Sequence, residues 1–316
     1  MKILSKNKPL VISILGPTAS GKTAASIAIA KKIPCEIISV DSAMIYKYMN
    51  VGTAKPSASE QSIVKHHLID ILDPKETYSV AQFRDNALSI LGCIIKRNKL
   101  PILVGGSMLY FKGLKDGLDE LPKSDPSIRK MIESETKILG IKKMHQKLST
   151  FDPITSSKLS ENDTQRIQRA IEVFIITGKP LSELLNKKKY EFPFELLSFS
   201  LEPNDRGVLH NLIEKRFDKM LISKPSIIDE TEQLKNRKDL HLGLTSMKCV
   251  GYKESWEYLD GKFDKTRLRE KAIIATRQLA KRQLTWLKRM KNIIKINSLS
   301  NDHQKDIIEK IKSYTC

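Results

Sequence analysis

The 316-residue sequence predicts an α/β protein, a parallel sheet with covering helices, broken by a helical insertion. Three observations carry this reading. Short β-branched runs alternate with stretches of helical periodicity through roughly the first hundred residues, the pattern of a parallel sheet. A glycine-rich loop stands between the first run and the first helix. A charged segment with helical spacing and no strand-like run then intervenes before the strand pattern resumes.

The elements follow in order. "PLVISIL" holds a buried strand over Leu10–Leu15 and runs into glycine, and Thr23–Lys32 is a helix that closes at Pro34. "EIISV" is the second strand. From Tyr78 to Asn98, Val80, Phe83, Ala87, Ile90, Leu91, Ile94 and Ile95 recur at helical spacing, and "PILVGG" is a third strand ending on two glycines. Ligands of such sheets bind outside the carboxyl ends of the strands. The glycine loop, Asp41 and Gly105–Ser107 all stand there. Helical periodicity and high charge from Asp125 to Leu185 mark the insertion. The expected division is a core of residues 1–113 and 196–316 around an inserted helical domain of residues 114–195. Glu195–Pro203 returns to the strand pattern. Helices over Arg206–Leu221, Ser226–Asn236, Gly251–Gly261 and a long basic segment follow, with "NIIKINS" as the last strand before a terminal helix.

Hydrophobic residues make up 40% of the chain, enough for a packed core. No run approaches the ~18 apolar residues needed to span a bilayer. "MKILSKNK" leads at once into the first strand without the h-region and cleavage site of a secretory signal, so the protein is expected in the cytoplasm. Cys35, Cys93, Cys249 and Cys316 lie far apart and read as small buried hydrophobes, and His66 and His67 are too close in sequence to converge on one metal. The formal charge is +19, and it is concentrated. Between Lys265 and Lys295 stand Lys265, Arg267, Arg269, Lys271, Arg277, Lys281, Arg282, Lys288, Arg289, Lys291 and Lys295 against Glu270 alone. Such a segment is the footprint of a phosphodiester partner, with a solvated helix face as the competing reading.

"GPTASGKT" matches the phosphate-loop pattern of glycine, four residues, then glycine-lysine-threonine. Gly16, Pro17, Thr18, Ala19, Ser20, Gly21, Lys22 and Thr23 form the predicted cradle. The glycines let backbone N–H groups point inward at phosphate oxygens, Lys22 adds a point charge, and the Thr23 hydroxyl can hold Mg²⁺. The following helix aims its positive end at the same place. The fold expected is therefore P-loop NTPase-like. A motor ATPase or helicase would need a hydrophobic strand ending in Asp-Glu, which the chain lacks. A kinase acting on a nucleoside or small metabolite stays open, since Asp41 could serve as base for an accepting hydroxyl. So does an RNA-binding module with a vestigial loop.

Seven stretches carry a resemblance to one family: "GPTASGKT", "ISVDSAMIYKYMNVGTAKP", "YSVAQFRDNAL", "PILVGGSMLYFKGL", "NDTQRIQRAIEVF", "KCVGYKESWEYL" and "ATRQLAKRQLTWLKR". Their order and combination resemble the tRNA dimethylallyltransferases, from Leu10 to Arg289. The resemblance implies that dimethylallyl diphosphate, not a nucleotide, occupies the phosphate loop, and that its allyl group passes to the exocyclic amine of the adenosine 3′ of the anticodon. It implies Asp41 as general base, Lys22 and Arg216 as groups that neutralise the departing diphosphate, and Ser107 as a hydroxyl where the family has threonine. Ser107 would hydrogen-bond near Asp41 and the adenine, or cap a helix.

The same resemblance places tRNA at Asp41, Ser42, Ala43 and Met44, at Ser107 and at Arg129. It continues to Gln165, Arg166, Ile167, Gln168 and Arg169, and to Lys248, Cys249, Val250, Gly251, Tyr252 and Lys253. It ends along Lys281, Arg282, Gln283, Leu284, Thr285, Trp286, Leu287 and Lys288. Within that last stretch Ile273, Ala280, Leu284 and Leu287 make an apolar stripe, leaving Arg277, Lys281 and Lys288 on another face to meet phosphates. Trp286 reads equally as a stacking residue or a core residue. Pro225 departs from the family pattern and is expected to reset the entry of the next helix. The expected partners are tRNA and dimethylallyl diphosphate, with Mg²⁺, no membrane and a monomeric chain.

Overall fold

The computed structural model describes residues 4–5, 8–185 and 190–315. Leu4–Ser5 (β1) pairs antiparallel with Lys8–Leu15 (β2). Cys35–Val40 (β3), His66–His67 (β4), Leu100–Gly105 (β5), Glu195–Glu202 (β6) and Ile293–Asn297 (β7) extend β2 into a parallel sheet in the order β4-β3-β5-β2-β6-β7. The aliphatic runs are continuous because both faces of these strands are covered. Alternate residues of β2 serve opposite faces. Leu10, Ile12 and Ile14 join one core cluster, and Val11 and Leu15 another.

The helices before the insertion are Lys22–Ala30 (α1), Ala58–Ile63 (α2), Val80–Lys96 (α3) and Met108–Asp116 (α4). Pro126–Leu139 (α5), Ile141–Phe151 (α6), Pro153–Lys158 (α7), Thr164–Thr177 (α8) and Leu181–Leu184 (α9) follow. Arg206–Ile222 (α10), Ile227–Asn236 (α11), Tyr252–Leu259 (α12), Lys265–Arg289 (α13) and His303–Thr315 (α14) complete the order. α1 and α14 cover one face of the sheet through Ala25, Ile29, Ile307 and Ile311. α3, α4 and α13 cover the other through Phe83, Ala87, Leu91, Ile94, Phe111, Leu114 and Leu287. The result is an α/β/α sandwich of the P-loop NTPase-like kind.

Two compact units divide the chain: Met1–Asp116 with Phe192–Cys316, and Gly117–Glu191. The second has its own small core of Ile132, Met144, Leu148, Ile167, Ala170 and Ile171. Its helix starts are written in the sequence, since Asp125, Asp152 and Asp163 each accept a first-turn N–H and Pro126 and Pro153 follow the first two. In the larger unit, α3 starts after Ser79, which forms a capping box with Gln82, slightly inside the expected Tyr78 boundary. Pro225 stands between α10 and α11, and α11 starts from Ser226, whose side chain forms a capping box with Asp229. β4 has two residues and α4 follows a glycine pair, so neither was expected as an element. Cys93 is exposed, contrary to the expectation that the cysteines are buried, and Cys316 lies outside the described residues.

Register decides where chemistry can happen. Leu15 and Val40 both pair with Gly105, so the three strands end flush. Gly16, Asp41 and Gly106 therefore emerge along one edge. β2 has β5 and β3 to one side and β6 and β7 to the other, the arrangement that opens a crevice at the carboxyl ends.

The amino ends of the strands carry a different charge arrangement. Glu36 of β3 is buried and accepts from Arg97 Nε and Nη2 at 3.1 and 2.8 Å. His67 Nε2 lies 2.7 Å away and Lys99 Nζ 3.2 Å away. Burial alone would raise the carboxyl, but hydrogen bonds from Arg97, His67 and Lys99 outweigh it and lower its pKa to about 2. The resulting stability is present above the ordinary carboxylate range and is lost as pH falls toward 2. Replacing Glu36 by Gln is expected to cost about 2 kcal/mol at neutral pH, the scale of hydrogen bonds to a charged group. Urea unfolding at a series of pH values checks this, and the deficit should shrink as the pH drops below 4.5, the carboxyl's unperturbed value.

Candidate active site

Between β2 and α1 the chain must turn sharply while keeping its N–H groups free. Ala19 and Gly21 do this in the left-handed region, at φ 63° and 81°. Gly21 caps α1 without a side-chain acceptor, so the first-turn N–H groups face outward toward the crevice end with no side-chain partner. Lys22 Nζ donates to Pro17 O at 2.6 Å and so folds back over the loop. Ser20 Oγ is buried with no hydrogen-bond partner, an orphan that an anion in the cradle would satisfy. Thr23 stands on the first turn of α1, half-buried.

Arg216 of α10 reaches the same edge and donates to Thr53 O at 3.3 Å. Desolvation, then the nearby Arg216, lower the Lys22 pKa to about 7, with Asp41 opposing. Burial likewise lowers the Arg216 pKa, again opposed by Asp41. Neither cation forms an ion pair with a carboxylate among the described residues. Two desolvated cations with one carboxylate nearby leave a surplus of positive charge, and a polyanion is the ligand that relieves it.

Asp41 Oδ1 accepts the N–H groups of Ala43 and Met44 at 2.8 and 3.2 Å, which fixes the carboxylate against its own turn. Oδ2 makes no hydrogen bond among the described residues. Ser107 N donates to Val40 O, and its hydroxyl accepts from Ser42 N at 2.9 Å and donates to Ser42 Oγ at 3.2 Å. The serine thus steadies the residue next to Asp41. Met44 and Cys249 lie close by; burial and then the Asp41 charge push the Cys249 thiol up to about 12, so it stays protonated and inert.

The polar loop after Asp41 is organised by a residue that no motif pointed to. Buried Glu230 of α11 accepts from the N–H groups of Asn50 and Val51 and from the Tyr252 hydroxyl, while Gly52 N donates to that hydroxyl at 3.1 Å. Thr53, held next to this nest, presents its carbonyl to Arg216. The only sequence signal for Glu230 was an acid on the buried stripe of α11, beside Ile227 and Leu234.

The segments expected to meet RNA divide by exposure. Lys281, Arg282, Thr285 and Lys288 are exposed on α13. Leu287 is fully buried, and Leu284 and Trp286 pack on core clusters, so Trp286 is a packing residue. Gln283 turns inward to Thr18 and Gly106. Contrary to the expectation that it is free to meet phosphates, Arg277 pairs with Glu214 of α10, while Arg269 pairs with Asp218. Among the described residues the unpaired positive charge of α13 therefore gathers in its last turns, with Lys265 alone at its start. Lys248 and Lys253 are exposed, Cys249 and Val250 half-buried, and Gly251 and Tyr252 buried. In the smaller unit Gln165 and Arg166 are exposed, Arg166 3.5 Å from Asp163. Ile167 is a core residue and Gln168 donates to Thr136 Oγ1. Arg129 and Arg169 converge on the buried Glu172 at 3.1 and 2.6 Å.

The chain is similar to known proteins over most of its length. The family model described as IPP transferase matches residues 44–290. A protein of Janthinobacterium sp. (strain Marseille) named tRNA dimethylallyltransferase is 56% identical over 96% of the chain and 97% of its own length. One of the same name from Burkholderia multivorans is 47% identical over 96% and 94%. The crystal structure of the full-length tRNA isopentenylpyrophosphate transferase from Bacillus halodurans superposes with a TM-score of 0.71 at 33% identity, covering 98% of this chain and 97% of that one. A eukaryotic dimethylallyltransferase acting on tRNA gives a TM-score of 0.79 at 27% identity, over 96% and 77%. With a phosphate loop, two unpaired cations and a carboxylate along one sheet edge, the chain belongs to the IPP transferase family.

Proposed function

We propose that the chain is a tRNA dimethylallyltransferase, joining the allyl group of dimethylallyl diphosphate to the exocyclic amine of the adenosine 3′ of the anticodon. The observation that carries this is the placement of Lys22 and Arg216, short of counter-charge, beside Asp41 with its Oδ2 free. It fits a reaction that releases diphosphate next to an amine that must lose a proton. The family membership does not favour the kinase reading.

The amine lone pair attacks the allylic carbon as that carbon's bond to the diphosphate oxygen breaks, and the amine proton passes to Asp41 Oδ2. The leaving diphosphate takes the electron pair, and its charge is met by the first-turn N–H groups of α1, by Lys22 and by Arg216. The residues present fit Mg²⁺, which favours a few protein oxygens, substrate phosphates and waters over an all-protein cage. Thr23 Oγ1 is the protein oxygen in place, and no cluster of three His, Cys, Asp or Glu stands ready to hold a metal among the described residues. When bound, the ion would neutralise diphosphate charge. The adenine has to leave the anticodon loop to reach this edge. RNA would lie along Asp41–Met44, Lys281, Arg282 and Lys288, and along Arg129 and Gln165–Arg169 of the unit expected as the inserted domain. Lys248 and Lys253 would add phosphate contacts. No helix among the described residues is long and apolar enough to cross a membrane. A monomer in the cytoplasm completes the reading. Its direct test is mass spectrometry of tRNA nucleosides after incubation with the protein, dimethylallyl diphosphate and Mg²⁺. Unmodified adenosine, or consumption of added ATP, would sink it.

Replacing Asp41 by Asn keeps the acceptor for Ala43 and Met44 and removes the base. Turnover is expected to fall on the order of 10²-fold or more, with tRNA affinity kept. Single-turnover rates and a binding titration separate the two.

Lys22 supplies a pH signature. Its pKa of about 7 in the free protein rises when an anion arrives, so binding above that pH takes up a proton and affinity falls as pH rises. At pH 8 the wild type should take up roughly one proton more than Lys22→Met on binding inorganic diphosphate, read by calorimetry in buffers of different ionisation enthalpy.

Neutralising Lys281, Arg282 and Lys288 together should weaken tRNA binding and flatten its log–log salt slope by about 2 units, leaving diphosphate affinity unchanged. Unchanged salt dependence in a folded triple variant would reduce this end of α13 to a solvated face.

A further inference from the structure

Gln283 follows the exposed Arg282 and is a polar residue, yet it is only 9% exposed. Its Oε1 accepts from Thr18 N of the phosphate loop at 2.8 Å, and its Nε2 donates to Gly106 O at 3.1 Å. A Cβ on Gly106 would stand 2.3 Å from that Nε2, so the amide can occupy this place only because residue 106 is glycine. Gly106 leads directly into Ser107, whose hydroxyl holds Ser42 beside Asp41. One side chain thus joins the loop that receives the anion to the turn after β5, whose Ser107 in turn holds the residue beside the base, and it does so from the helix whose exposed cations include Lys281, Arg282 and Lys288.

We propose that Gln283 is a positioning residue that ties the seat of α13 to the shape of the phosphate loop, so that the allyl diphosphate binds tightly only while this bridge is made. The inference rests on the prenyl-transfer reading of the site. Both amide ends are satisfied, and both partners are main-chain atoms, so the bridge constrains backbone and not merely another side chain. Without it Thr18 N–H loses its partner and Gly106 O keeps only the Met108 N–H, so the loop is free to leave the conformation in which Ala19 and Gly21 sit at positive φ. A rigid helix is a suitable carrier for such a bridge, because a residue on it moves only when the helix moves.

Two variants of the full-length protein test this. Gln283→Met keeps the side-chain length and removes both hydrogen bonds; Gly106→Ala displaces the amide without altering Gln283. Each should raise the Kd of inorganic diphosphate, and the KM for dimethylallyl diphosphate, by about tenfold, the scale of lost neutral hydrogen bonds. The Kd for tRNA without diphosphate should stay within about twofold, and the double variant should be no worse than the poorer single one, because both break the same bridge. Unchanged or tighter diphosphate binding in folded variants would overturn the proposal. So would a loss confined to tRNA affinity, which would return Gln283 to the RNA side. Wild-type protein that binds diphosphate yet modifies no tRNA would instead overturn the prenyl-transfer reading, with the effect of the bridge on diphosphate still measurable.

Discussion

Everything at the carboxyl edge of the sheet depends on two cations held where they repel each other. Lys22 and Arg216 are both desolvated, and Asp41 alone offsets their charge from nearby. Such a pair would ordinarily swing out to water. Here each is tied down by a neutral carbonyl, Lys22 by Pro17 and Arg216 by Thr53. A carbonyl orients a cation without cancelling it, so the attraction for an incoming anion survives. The rest of the larger unit can be understood as support for that arrangement. Glu230 and Tyr252 hold the loop that carries Thr53, and Gln283 holds the loop that carries Pro17.

Much of this was legible in the sequence because it is local. The phosphate loop is one continuous stretch whose glycines and lysine have narrow conformational and chemical reasons, and the apolar runs on either side identify strand and helix by period. Asp41 follows a buried strand directly, so its place at the sheet edge is a matter of counting. The flush register of β2, β3 and β5 then brings loop, aspartate and Ser107 together without further information.

What was not legible is pairing between distant segments. The apolar stripe of α13 assigned Arg277 to an outward face, whereas Glu214 on the facing turn of α10 takes it up. Periodicity cannot report such a partner, because it describes one helix at a time. A contiguous window carried over from a family likewise mixes faces: Ile167 and Leu287 point into cores while Arg166 and Lys288 do not. Gln283 and Glu230 are the sharper cases. Each is a polar residue on a buried stripe, which in sequence looks like a blemish in an apolar pattern. In the structure each one meets main-chain N–H groups that would otherwise be unsatisfied.

The ion pairs between α10 and α13 give the long helix a direction. Asp218 and Glu214 quench Arg269 and Arg277 in its first half, where Lys265 alone is without an ion pair, whereas Lys281, Arg282, Lys288 and Arg289 remain unquenched toward its end. A helix 25 residues long spans about 37 Å, several Debye lengths at physiological salt, so a polyanion approaching from solution senses the two halves separately. A uniformly charged rod would attract RNA without turning it. A rod charged mainly toward one end exerts a torque as well as a pull, and so begins to orient its partner before any contact forms.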